Sequence, residues 1–89
     1  MNTEIIENRR TMTVTKAEYD EQGLEQTVIL VEDLEKPDDG FSMLIREDEK
    51  NRYNLYSMPY VNNRRLSREG VFVSRQDALT WARCLAEID

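Results

Sequence analysis

A chain of 89 residues, 34% of them charged, with a net charge of −6, has room for one small domain. A core of about fifteen side chains leaves little space for the roughly 300 Å³ cavity that a small-molecule site usually needs. Histidine is absent and Cys84 is the only cysteine. This excludes an intramolecular disulfide, a zinc site built on Cys and His, and the commonest general acid–base group.

The first ten residues, with Ile5 and Ile6 as their bulky aliphatic groups, read as a flexible segment ahead of a single domain over 11–89. No apolar run of about 7–15 residues marks a secretory leader. The longest aliphatic stretch, 28–31, falls far short of the ~20 residues of a membrane helix. A cytoplasmic location with no membrane partner is the expectation.

From Thr11, Met12 and Val14 alternate with threonines, which predicts a strand with one wet face. Residues 20–25, with Gly23 inside, form a turn. The stretch 27–32 is β-branched and apolar on both faces, the pattern of a central strand. Pro37 and Gly40 then break the chain. Phe41, Met43 and Ile45 alternate as a third strand, 47–51 turns, and 52–58 returns as a fourth. Pro59 marks an edge or the end of that strand, since proline donates nothing to a ladder. Residues 62–65 read as a loop and 71–73 as a short fifth strand.

Ser74 followed by Asp77 is an N-cap signature. Ala78, Leu79, Ala82, Leu85, Ala86 and Ile88 then recur at helical spacing, predicting a helix of about 14 residues. Trp81 borders that stripe, and Cys84 beside it reads as an ordinary packing residue. The fold expected is α+β: an antiparallel four- to five-stranded meander sheet packed by one C-terminal α-helix. Leu79, Ala82, Leu85 and Ile88 would cover Met12, Val14, Val28, Leu30, Met43, Tyr53 and Leu55. Sequence alone leaves open which face of 27–32 turns toward the helix.

Charge is unevenly spread. Residues 1–50 hold fourteen acids and six bases, whereas 51–89 hold four acids and six bases. Two acidic loops flank the third strand: Glu32, Asp33, Glu35, Asp38 and Asp39 on one side, and Glu47, Asp48 and Glu49 on the other. Neither has the spacing of a calcium loop, so both read as solvated, with no metal and no cofactor. Carboxylate rows on an acidic protein can also imitate DNA phosphates and occupy a partner's nucleic-acid groove. Several phage-type inhibitors of host defence work this way, and a phage or mobile-element origin would suit such a protein.

The second half carries the opposite signal. Arg52, Tyr56, Met58 and Tyr60 share one face of the fourth strand, Tyr53 and Leu55 the other. Arg64, Arg65 and Arg68 follow, and Arg75 opens the helix. Arginine beside tyrosine suits a protein interface, and it also suits single-stranded nucleic acid held by stacking and phosphate contacts. The order of strands then helix is loosely similar to that of the positive-cofactor class of single-strand DNA-binding coactivators, with no shared motif. With catalytic residue types missing, the main expectation is a non-enzymatic protein-binding module, an adaptor or inhibitor docking on a larger, perhaps nucleic-acid-binding, protein. The alternative is a single-stranded nucleic-acid binder using the Arg/Tyr surface. Homodimerisation through a strand edge near Pro59 is compatible with both.

Overall fold

The computed structural model of the chain describes residues 2–7, 10–59 and 67–87. Within them lie β1 (Asn2–Glu7), β2 (Arg10–Val14), β3 (Glu18–Tyr19), β4 (Glu25–Asp33), β5 (Phe41–Glu47), β6 (Tyr53–Pro59) and β7 (Ser67–Phe72), followed by helix α1 (Arg75–Glu87). A single turn of 3-10 helix, Pro37–Asp39, joins β4 to β5. The strands form one antiparallel sheet in the order β1-β2-β4-β5-β6-β7, while β3 pairs with β4 alone. This is the expected α+β meander with a C-terminal helix.

The sheet is wider than four or five strands. Residues 2–7, part of the segment that reads as flexible, pair with β2 from Asn2↔Val14 to Glu7↔Arg10. The last strand begins at Ser67 instead of residue 71. Pro59 does close β6, which lies between β5 and β7; β7 accompanies β6 only as far as Ser57↔Ser67, and β1 and β7 are the outer strands among the described residues.

Alternation puts Arg10, Met12, Thr27, Ile29, Val31, Asp33, Met43, Ile45 and Leu55 under the helix, all of them buried. From the helix come Ala78, Ala82 and Ala86, all fully buried. Their methyl groups let the helix backbone approach the sheet, whose longer side chains fill the space between the two layers. Leu79 and Leu85 pack against this cluster only in part. The centre of the stripe is thus alanine, with leucine at its flanks, and Ile88 lies outside the described residues. Cys84 is exposed instead of packed, and Trp81 keeps 46% of its surface in solvent.

Val28 and Leu30, expected beneath the helix, sit on the opposite face. The polar ends of β4 account for this. Thr27 Oγ1 accepts a bond from Arg75 Nε at 3.2 Å, and Arg75 Nε lies 3.1 Å from Glu25 Oε1. At the other end Asp33 pairs with Arg10 (Oδ2 to Nε, 3.5 Å). Thr27 and Asp33 meet these arginines on the helix side, and a strand's period of two carries Ile29 and Val31 with them.

The helix is fastened at both ends. Ser74 Oγ accepts the Asp77 N–H at 3.1 Å, the N-cap expected from sequence. At the C-terminal turn Arg10 Nη1 donates to the Ala86 carbonyl at 2.7 Å. This places a cation where the helix dipole is negative. Under the Phe72 ring lies Gly70, where a Cβ would come within 2.9 Å of that ring.

Candidate interaction surface

The helix covers one face of the sheet only. On the other, the register aligns Val28, Leu44, Tyr56 and Arg68 in one row across β4 to β7. Thr13, Leu30 and Ser42 lie in the next row, and Gln26, Arg46, Asn54 and Val71 in the row on the other side. Leu30, Leu44 and Tyr56 are half-buried by their neighbours, while Val28 is 39% and Val71 42% exposed. Among the described residues no element lies over these side chains.

At the end of this face where β4 begins and β5 ends, two hairpin turns of the same construction stand side by side. In the first, Asp20 Oδ1 accepts the N–H groups of Gln22 and Leu24 at 2.9 and 3.0 Å. In the second, Asp48 Oδ1 accepts those of Lys50 and Arg52 at the same distances. Each turn needs a residue in the left-handed region three places after its aspartate: Gly23 at φ 77° and Asn51 at φ 61°. Asn54 Nδ2 adds a bond to Asp48 Oδ2 at 3.0 Å, and Asp20 lies 3.6 Å from Arg46.

These bonds stabilise the charged carboxylates. Asp48 is held below its ordinary value of 3.8, chiefly by the Asn54 amide and the Arg52 N–H. Asp20 is lowered mainly by the Leu24 N–H. A folded-state pKa below the unfolded one gives stability that is present above the unfolded value and lost as pH falls through the folded one. The native chain is therefore expected to lose stability from about pH 4 downward. In Asp48→Asn part of that slope should vanish, and thermal melts followed by circular dichroism from neutral to acid pH would measure it. An unchanged slope would mean that other carboxylates govern the acid limit.

Beside the second turn a shallow depression of about 530 Å³ opens onto the uncovered face. Arg46, Arg52, Asn54, Tyr56, Arg68 and Val71 line it. Three of the expected partner-binding residues, Arg52, Tyr56 and Arg68, are thereby brought together. Tyr60, Arg64 and Arg65 lie outside the described residues. Arg46, Leu44 and Val71 did not stand out in the sequence; the signal for them was the strand register, which only the pairing of β4 with β5 and of β6 with β7 supplies.

The acidic residues do not form one surface. Glu32, Glu35, Asp38, Asp39 and Glu49 are exposed. Asp33 is buried with Arg10, and its Oδ1 accepts the Glu35 and Lys36 N–H groups at 3.0 and 2.9 Å. Asp33 is therefore a structural residue, and Asp48 is occupied by its own turn. Glu47 is half-buried, with Oε1 accepting the Glu25 N–H at 3.3 Å. The two loops lie at opposite ends of the seven-residue β5, roughly 20 Å apart, so their carboxylates make no continuous row.

Among the described residues no group of three or more Cys, Asp or Glu side chains is placed to hold a metal ion. No described helix is long and apolar enough to cross a membrane. Comparison with protein-family models, with curated proteins and with solved structures finds no match.

Proposed function

We propose that the chain is a non-enzymatic protein-binding module, an adaptor or inhibitor that docks on a larger protein through the uncovered face of its sheet. The observation that carries this reading is the row Val28–Leu44–Tyr56–Arg68, apolar at its centre and cationic at one end, with no layer over it among the described residues. Exposed apolar surface framed by polar groups is characteristic of protein contacts, and tyrosine and arginine are the residues that dominate their energetics. The missing histidine, which leaves Cys84 with no imidazole to act as its base, favours binding over catalysis.

The test is a pull-down from lysate with the tagged chain, with and without nuclease, beside the double variant Val28→Lys, Leu44→Glu, which places opposite charges on register partners. One dominant protein is expected, retained after nuclease treatment and lost with the double variant, whose far-UV spectrum and melting should stay near those of the parent. Capture indifferent to the double variant would remove the surface from consideration. Recovery that disappears with nuclease would favour single-stranded nucleic acid as the ligand instead.

A further inference from the structure

We propose that the depression beside the β5–β6 turn receives an acidic peptide segment of the partner, seating a carboxylate between Arg52 and Arg68 and an apolar side chain against Tyr56 and Val71. This rests on the protein-binding reading and names the chemistry of what is bound. The charges of the depression are unequally committed. Asp48 spends both oxygens on the Lys50, Arg52 and Asn54 donors, and Glu47 accepts from the Glu25 backbone. Arg46 faces Asp20. Among the described residues neither Arg52 nor Arg68 has an ion-pair partner within 4.0 Å, and both are exposed. Arg52 feels the Asp48 charge only at longer range, so two guanidinium groups that no described carboxylate engages directly, beside a half-buried tyrosine, offer planar, multidentate donors that match a carboxylate.

A carboxylate ligand is favoured over a phosphodiester by what surrounds those arginines. Glu47, Asp48 and Glu49 also line the depression, and the chain as a whole carries −6. A nucleic-acid strand brings a charge with every nucleotide and meets repulsion at that rim. A peptide brings one or two carboxylates with apolar neighbours, and Val71 with Tyr56 gives those neighbours a wall. The chain's own acidic loop from a second copy fits less well. Asp33 Oδ1 ties Glu35 and Lys36 back to β4, and Pro37–Asp39 is coiled into a 3-10 turn, so that segment is not extended.

The experiment uses the full chain and fluorescence anisotropy at about 50 mM salt, where exposed charges act most strongly. The probes are a short labelled Glu–Val peptide with two glutamates among valines and serines, its Lys–Val counterpart, and labelled oligothymidylate. The Glu–Val peptide alone should bind. Arg52→Glu with Arg68→Glu should weaken it about tenfold or more, whereas Lys16→Glu with Lys36→Glu, equal in net charge and placed on exposed side chains elsewhere, should change it little. Equal loss in both double variants, binding of oligothymidylate, or no binding of the acidic peptide would overturn the proposal. So would a dimer in sedimentation that the Arg52/Arg68 reversal dissolves, because it assigns the depression to a second copy. If the peptide fails while partner capture still depends on Val28 and Leu44, the peptide chemistry is wrong and the protein-binding reading stands. If capture fails as well, that reading falls too.

Discussion

Replacing Arg10 with methionine is expected to cost about 3–5 kcal/mol of folding stability, a large share of the roughly 5–15 kcal/mol available to a domain. Methionine keeps much of the volume but removes the guanidinium that faces Asp33 and bonds the Ala86 carbonyl. The Asp33 carboxylate would then lose the Arg10 charge in a place water does not reach, and the helix C-terminus would lose the cation at the Ala86 carbonyl. Asp33→Asn should cost less, since one amide oxygen can still accept the Glu35 and Lys36 N–H groups. The double variant should lose less than the sum of the two, because removing both charges leaves neither stranded. Urea denaturation of all four proteins closes the cycle. A loss below ~1 kcal/mol for Arg10→Met would mean that the pair behaves like a surface ion pair.

How the fold declares itself in the sequence follows from the range of the interactions involved. The helix is local, and Ser74, Asp77 and the spacing of Ala78, Ala82 and Ala86 announce it fully. The 41–58 hairpin is nearly local too, and its alternation correctly separates Tyr53 and Leu55 from Tyr56. The facing of β4 is not local. Its two sides are almost equally apolar, and the choice depends on Arg10 and Arg75, which reach it from far along the chain. Strand β1 is hidden for a related reason: its residues are largely polar, and it acquires strand character by pairing with β2. Asp33 looked like its exposed acidic neighbours because nothing nearby in sequence shows that Arg10 buries it. The candidate surface was legible at Arg52, Tyr56 and Arg68, where residue type is itself the signal. It was silent at Val28, Leu44 and Arg46, whose meaning depends on which face they occupy.

The two sides of β4 should therefore respond very differently to the same truncation. Ile29→Ala removes a fully buried side chain from the centre of the row Val14–Ile29–Met43, and a cost of about 2–5 kcal/mol is expected. Val28→Ala, one residue away, trims a side chain that already keeps 39% of its surface in solvent, and should cost less than about 1 kcal/mol. Equilibrium unfolding in urea, with the slope checked for constancy, measures both. Similar losses at the two positions would mean that a second layer covers the open face in solution. The expected contrast has a functional consequence. If stability comes from the helix side, then Val28 contributes little to holding the fold together, and its apolar character is left without a structural reason. Substitutions there that spare the melting temperature yet abolish partner capture would supply the reason and put the contact on this face.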